Sequence, residues 1–366
     1  MKICIIASQL LGNEKIGGFG SMSKQLALTL QEKGIEVVVL MPQRKGKGKK
    51  KNLNPFPIVF IYKEDLWNLD FFRAIDADIY HSQNQTILSS LARIAEPNKK
   101  HIVTCRDPRN WKDWINEFQH ATWNRRRKIP FNYLTEESKL AYWAIQKADI
   151  VGVPAKFLIP KVQKMYGLKE NPIFLPNIED IPIEVPQKNS QPTLLWVGRM
   201  AKRKYPEHFI ELAGHFPNVK FQLLGRTEET RRWQYLNDLA AQYANVEMLG
   251  YKDKFRDTDF FDYFDKAWIL VNTSSREGLP LTFIEAAARG CAIVSASNPD
   301  NFASEFGAWA KDRKFVEGIR YLLEGDKWRK KGRLAHQYVY EQYKKEVAIE
   351  AHLNVYNQLL KYEFKT

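Results

Sequence analysis

Glu277 and Glu285 flank seven residues inside Ser274–Gly290, a stretch that reads SSREGLPLTFIEAAARG. The apolar run Trp268–Val271 precedes it and Ala292–Ala296 follows. The pattern predicts a buried strand, a tight loop, a helix opening near Pro280 and stopping at Gly290, and a second parallel strand. A loop that leaves a strand and enters a helix offers unpaired backbone N–H groups and the positive end of the helix dipole, which suits a phosphate. With Glu277 in the loop and Glu285 in the helix, the two carboxylates can touch different parts of one ligand. The plainer reading is ordinary α/β architecture with two glutamates spaced by chance. The rest of the chain decides between them.

Positive charge is set at comparable turns. Gly198-Arg199 and Lys202-Arg203-Lys204 follow the strand pattern Thr193–Val197, and Arg226 follows Gly225 after Lys220–Leu224. At the other end of the chain, Ile3–Ala7 runs into Gly17-Gly18-Phe19-Gly20. A helical pattern on Met22, Leu26 and Leu30 and a strand over Ile35–Leu40 come next. That is a βαβ unit with glycines at its first crossing, where backbone approaches a phosphate closely. The spacing is not G-x-G-x-x-G, and Met41-Pro42 stands where a ribose-binding acid would be, so a nicotinamide or flavin site is disfavoured. Strands also read at Ile58–Tyr62, Ile79–His81, Ile102–Cys105, Ile150–Val153, Ile173–Leu175 and Val246–Leu249. Helices read over Gln85–Ile94, Asn110–Arg127, Glu136–Lys147, Phe157–Met165, Glu207–His215 and Trp233–Tyr243. Alternation of strand and helix through both halves predicts an α/β fold of two Rossmann-like domains, each a parallel sheet covered on both faces, with the cleft between them as the default active site. The expected bounds are 1–176 for the first domain, 177–192 for a Pro-punctuated linker and 193–345 for the second, with 346–366 packing back on the first.

Length and composition agree with two domains: 366 residues, 44% hydrophobic. The net charge of +14 favours anionic partners, namely nucleotides, an anionic membrane surface or nucleic acid. No apolar stretch reaches the ~18 residues needed to span a bilayer, and the first strand lacks a signal peptide's basic start and cleavage site. Cys4, Cys105 and Cys291 are scattered in apolar runs, which points to reduced core thiols in a cytoplasmic protein. Arg44–Lys51 (RKGKGKKK) is a solvated loop able to lean on anionic lipid. Trp111, Trp114, Ile115, Phe118 and Ala121 fall at helical spacing near Trp123 and Arg125–Lys128. Such a stripe is core before it is a membrane-interface helix. Asp257-Thr258-Asp259 has no phosphate loop beside it and reads as a solvated face, so no metal site is expected.

Together these residues resemble the retaining glycosyltransferases of the two-Rossmann-domain (GT-B) fold, family 4-like or group 1, over nearly the whole chain. Gly17-Gly18 matches the family's first loop, Asp78-Ile79-Tyr80-His81 its D-V-V-H strand end and Ala148-Asp149-Ile150-Val151 its A-D-x-V strand start. Pro176-Asn177-Ile178-Glu179-Asp180 is similar to P-N-G-V-D, Gly198-Arg199 with Lys204 to G-R-x-x-x-x-K-G, and Glu277 with Glu285 to the Glu–seven–Glu motif. Val355-Tyr356-Asn357-Gln358-Leu359-Leu360 resembles the last helix, which in this fold returns to the first domain. The resemblance implies a hexosyltransferase-like enzyme of cell-envelope polysaccharide synthesis that uses a UDP- or GDP-linked sugar as substrate, with no cofactor and no metal. Arg199 and Lys204 would stabilise the departing diphosphate, and Glu277 would touch the donor sugar. Gly17, Gly18, Gly278, Leu279 and Leu281 would supply backbone contacts, Glu285 would hold the ribose, and Tyr251 and Arg226 would lie at the nucleotide. The acceptor would be a glycan or lipid-linked glycan at the inner membrane face, with peripheral attachment to anionic lipid and no role for nucleic acid. The family's Thr-x-His near the acceptor reads Thr104-Cys105-Arg106 here, so Arg106 is expected to grip an anionic group on donor or acceptor. The P-N-G glycine is Ile178, and Ser297-Asn298-Pro299-Asp300 replaces a Gly-Gly. Two rivals stand beside this reading: a nucleotide-sugar epimerase of the same fold, separated by its lack of an acceptor, and a non-catalytic anion- or membrane-binding relative, which would not need Arg199, Lys204, Glu277 and Glu285 together.

Overall fold

A computed structural model describes residues 1–7, 17–43, 54–121, 126–227 and 229–361. The chain divides into two compact units, Met1–Ile178 with Lys345–Thr366, and Glu179–Lys344.

The first unit is built on seven parallel strands: β1 (Lys2–Ile6), β2 (Glu36–Gln43), β3 (Ile58–Tyr62), β4 (Ile79–Ser82), β5 (Lys100–Thr104), β6 (Ile150–Val153) and β7 (Ile173–Phe174). Their order is β3-β2-β1-β4-β5-β6-β7, with β1 pairing β2 and β4 on its two sides. A strand presents alternate residues to opposite faces, and a sheet covered on both sides must be apolar on both. Accordingly Ile3, Ile5, Val37 and Val39 join one buried cluster while Cys4, Ile6, Val38 and Leu40 join another. The first cluster also takes Ala348, Ile349, Tyr356 and Leu359 from the helix Lys345–Lys361. The C-terminal helix is thus part of the first unit's core.

The second unit has six parallel strands: β8 (Thr193–Arg199), β9 (Lys220–Arg226), β10 (Val246–Gly250), β11 (Ile269–Asn272), β12 (Ala292–Ser295) and β13 (Gly307–Trp309), in the order β10-β9-β8-β11-β12-β13. The three residues of β13 are too few to show a period, and the strand escaped the sequence reading. It lies so close to β12 that a Cβ on Gly307 would sit 1.8 Å from the Ile293 carbonyl oxygen. Residues 179–192, read above as linker, are part of this unit. Glu179 N donates to the Tyr343 carbonyl at 3.0 Å, and Trp268 Nε1 donates to the Asn189 carbonyl at 2.7 Å.

Three helix expectations need correction. The helix expected over Glu136–Lys147 runs Lys139–Gln146, and a separate helix before it, Ile129–Glu136, escaped the sequence reading. Ser138 Oγ accepts from Ala141 N at 3.1 Å, and this N-cap sets the start of the helix three residues later than expected. The helix at Trp111 ends at His120, after an Asn110–Asp113 capping box opens it. Pro280 is the N-cap of Leu281–Ala288, with extended backbone, and lies outside the first turn. Cys4, Cys105 and Cys291 are buried free thiols. Among the described residues no helix is long and apolar enough to cross a membrane.

Candidate functional site

Each strand of a parallel sheet delivers its following loop to the same edge, so loops far apart in sequence meet there. In the second unit, neighbouring strands β10, β9, β8 and β11 carry most of the residues singled out above. Arg199 ends β8, Arg226 ends β9, Tyr251 follows β10, and Glu277 follows β11. Register pairs Gly198 with Gly225 and Arg199 with Arg226, so two Gly-Arg steps lie side by side. The glycine at 225 is sterically required: its φ is +154°, and a Cβ there would fall 1.8 Å from the Gly198 carbonyl oxygen. The Arg226 guanidinium stacks on the Tyr251 ring at 3.8 Å, while Arg199 is exposed. Gly278, Leu279 and Leu281 bracket the start of the helix Leu281–Ala288, whose N-cap makes no side-chain hydrogen bond.

Lys204 closes a 3₁₀ turn over Lys202–Lys204, and its ammonium pairs with the Glu277 carboxylate in a close ion pair. The two loops are laced by backbone contacts. Thr273 Oγ1 donates to the Lys204 carbonyl at 2.7 Å and itself accepts from Trp196 Nε1 at 3.0 Å, and Ser275 N donates to the Arg203 carbonyl at 3.0 Å. Tyr205, next in the chain, takes a left-handed φ of +47°, a conformation that costs a non-glycine residue about 1–3 kcal/mol and concentrates at ligand sites. The electrostatics are unbalanced toward positive charge. Burial would raise the Glu277 carboxyl, but Lys204 and Arg203 outweigh it and leave the group below its usual range. Burial, with Arg203 and Arg199 outweighing the help from Glu277, also holds the Lys204 ammonium below its usual range.

Glu285 lies on the buried face of its helix and is held by Lys254, a residue the sequence reading missed. Lys254 Nζ donates to Glu285 Oε1 at 3.2 Å and to Glu179 at 3.0 and 3.3 Å. Burial and the neighbouring Glu285 push the Glu179 carboxyl up to about 7, against the pull of Lys254. The Lys254 ammonium is raised because its two carboxylates outweigh burial. The one available signal was weak: a lysine set among Phe255, Phe260 and Phe261, a stretch too aromatic for a solvated loop.

In the first unit Gly17 caps the helix Gly18–Glu32, and its carbonyl accepts from Gly20 N and Ser21 N. Gly18 is exposed, with open space where a Cβ would stand. Arg106 departs from expectation. It does not present an open fork. Nη1 donates to Asn177 Oδ1 at 2.6 Å and touches Met22 Sδ at 3.2 Å, and Nη2 donates to Gln83 Oε1. Nε is buried without an acceptor among the described residues, and burial pushes the guanidinium down to about 10. Thr104, two residues earlier, bonds His81 at 2.8 Å, and His81 bonds the Tyr356 hydroxyl at 2.7 Å.

Asp257 accepts from Asp253 N and Asp259 pairs with Lys252. No group of three or more metal-ligating side chains occurs among the described residues. A cavity of about 550 Å³ opens at the opposite, amino-terminal edge of the second sheet, lined by Lys188, Trp268, Gly290, Trp328, Arg329 and Arg333 among others. It contains none of the candidate donor-site residues Arg199, Lys204, Arg226, Tyr251, Glu277 and Glu285.

The aromatic stripe is split. Trp114 is buried, whereas Trp111 is 67% exposed and Ile115 and Phe118 are about half exposed, so the expectation of core holds for one position only. Trp114 meets Tyr133 edge-on at 5.7 Å, and beside Tyr133 the 63% exposed Leu134 extends the apolar surface. Lys112, whose ammonium lies 5.5 Å from the Trp111 ring centre, is exposed, as are Arg127, Lys128 and Lys139 elsewhere in the same stretch of chain. Arg44–Lys51, Trp123 and Arg125 lie outside the described residues.

Comparison with known proteins gives these observations a class. Residues 177–342 match the family model "Glycosyl transferases group 1", and residues 2–118 match "Starch synthase catalytic domain". The fold is that of sucrose-phosphate synthase from Thermosynechococcus elongatus (TM-score 0.74, 17% identity, 99% of each chain). It is likewise that of Anabaena HepE, solved in complex with UDP-glucose (TM-score 0.71, 14% identity, 98% of this chain and 100% of that one). S. aureus TarM, solved as a mutant with UDP and α-GlcNAc-glycerol, gives a TM-score of 0.66 at 13% identity, over 97% of this chain and 99% of that one. The class so defined is the glycosyltransferase enzymes of GT-B fold. Among curated proteins the chain is similar to poly(glycerol-phosphate) α-glucosyltransferase of Bacillus subtilis, at 26% identity over 138 residues. It spans 20% of that relative's length.

Proposed function

We propose that the protein is a retaining, metal-independent glycosyltransferase that moves a sugar from a nucleotide-diphosphate sugar to a glycan or lipid-linked acceptor of the cell envelope. The observation that carries this reading is the charge imbalance at Lys204. Its ammonium pairs with one carboxylate, Glu277, while Arg203 and Arg199 both lie close enough to repel it, so three cations share a single acidic partner. An anion is the missing component. When the bond from the anomeric carbon to the diphosphate breaks, its electron pair goes to the leaving oxygen, and fixed cations are worth most where that charge grows. In this reading Lys204 turns from Glu277 to the diphosphate, freeing Glu277 to accept from a sugar hydroxyl. The acceptor hydroxyl enters on the face the diphosphate leaves, and its proton passes to the departing oxygen. Glu285 holds the ribose and the Arg226–Tyr251 stack borders the base. The nucleotide sugar is a substrate, and no separate cofactor enters.

The relatives support a UDP-linked donor, since HepE was solved with UDP-glucose and TarM with UDP. The name of the Bacillus relative supports an anionic, envelope-type acceptor. For the acceptor side we place the protein in the cytoplasm, attached peripherally to anionic membrane through the exposed Trp111, Ile115, Phe118 and Leu134 and their basic rim. A thermal-shift panel tests the donor site: UDP or GDP at 100 times its dissociation constant adds about 2.7 kcal/mol, and EDTA leaves the shift unchanged. No shift with any nucleoside diphosphate overturns the assignment. NMR of the product's anomeric centre decides retention.

A further inference from the structure

We propose that Lys254 is the positioning residue of the nucleotide site: it fixes the Glu285 carboxylate for a ribose and does not itself touch the nucleotide. This rests on the donor site described under the proposed function. Three observations support it. First, the side chains of Lys254, Glu179 and Glu285 are 9%, 2% and 4% exposed, so the trio is internal and its geometry is set by the protein. Second, the Lys254 ammonium bridges the two carboxylates, donating to Glu179 at 3.0 and 3.3 Å and to Glu285 Oε1 at 3.2 Å. Third, both ends of the trio are anchored. Glu179 N is bonded to the Tyr343 carbonyl, and the Lys254 ammonium lies 5.5 and 5.8 Å from the ring centres of Phe255 and Phe261.

The chemistry requires a cation here. Glu179 and Glu285 converge on one point in a dry environment, and two carboxylates so placed repel unless a positive charge stands between them. With a neutral group at 254, Glu285 would turn away from Glu179 or take up a proton. Either change alters what it offers a ribose, because only the ionised carboxylate accepts from both hydroxyls of a diol. Lys254 thus acts on the ligand through Glu285, and its loss is expected to be felt by the ribose hydroxyls alone.

Calorimetric binding of UDP and GDP, each beside its 2′,3′-dideoxy counterpart, to the full chain tests this. In the unaltered protein the ribose form binds at least tenfold more tightly, as expected for hydrogen bonds to a charged acceptor. Lys254→Met should bring that ratio close to one by weakening the ribose form, with the dideoxy form changed less than about twofold. Lys254→Arg should keep most of the ratio, and Glu179→Gln should keep it too, since the Lys254–Glu285 bond survives. If Lys254→Met does not fold, Lys254→Gln, neutral but still able to donate a hydrogen bond, keeps both carboxylates and is read in the same way. A ratio that survives without Lys254 overturns the proposal, as does an equal loss for both ligand forms, which would make Lys254 a direct contact. An unaltered protein that binds neither nucleoside diphosphate overturns the donor-site reading as well, so the two failures are distinguishable.

Discussion

Removing one partner of the Lys204–Glu277 pair should loosen the loops that form the candidate donor site, by an amount the structure bounds. The side chains are 17% and 10% exposed. Breaking a buried pair by removing one partner costs about 3–5 kcal/mol, because the survivor is left charged and dry. The partial exposure of Lys204 sets the lower end, about 3 kcal/mol. Lys204→Met strands Glu277, whereas Glu277→Gln strands Lys204 beside Arg203 and Arg199. Removing both together leaves no stranded charge, so the double variant should lose clearly less than the sum of the singles. Hydrogen exchange on the full chain reads this locally. Amides within 193–205 and 268–285 should exchange about a hundredfold faster in either single variant, with little change in the first unit. The pH dependence has a sign. The Glu277 carboxyl is depressed, so the pair's contribution is present above the unfolded value of 4.5 and lost as pH falls through the lower folded value. Single variants that accelerate exchange less than about threefold, or whose effects simply add, would refute the account of a mutually dependent buried pair.

Arg199→Ala should depress turnover at saturating donor, whereas Glu285→Ala should chiefly raise KM, because one faces charge that grows in the transition state and the other a ribose that does not change; steady-state kinetics with the reverse pattern would remove the leaving-group role from Arg199. His101 and His352 are held down to about 4, by burial above all, from an ordinary 6.5. The unfolded chain therefore binds more protons between those values, and each histidine should remove up to about 1.4 kcal/mol of stability per pH unit as pH falls from 6.5 toward 4. Urea midpoints at pH 7, 6 and 5 should fall less steeply in His352→Gln than in the parent, and parallel slopes would contradict this. Co-sedimentation with anionic vesicles should weaken steeply with salt and be cut by the Trp111→Ala/Phe118→Ala double variant, while equal binding to neutral vesicles would dissociate the basic rim from attachment.

The fold was legible because both sheets are parallel and covered on both faces. Their strands appear as short apolar runs with glycine at the crossings, and β1, β3, β6 and β12 fall within a residue or two of where the sequence places them. What escaped has local causes. A three-residue strand such as Gly307–Trp309 carries no period, and the Ser138 N-cap starts its helix later than hydrophobic spacing alone suggests. For Trp111, Ile115 and Phe118, helical spacing is the same whether the stripe faces core or solvent, so only the packed structure separates Trp114 from its neighbours. In the candidate site, the residues at strand ends were legible because a parallel sheet must bring them to one edge.

Arg106 and Lys254 show why the rest was not. Both are buried cations, and for a buried cation the partner decides the role. The partners of Arg106 are Gln83 and Asn177, which stand 23 and 71 residues away, and those of Lys254 are Glu285 and Glu179, at 31 and 75. No local pattern encodes such pairings. The outcomes also differ in sign. Arg106 is surrounded by neutral amides and loses ground to burial, so its charge is a cost that neighbouring groups only partly offset. Lys254 sits between two carboxylates and is held more firmly charged than a free lysine. A buried ammonium bridging two carboxylates is suited to orienting another group and poorly suited to capturing a ligand. The exposed Arg199 and the displaceable Lys204 are suited to meeting one.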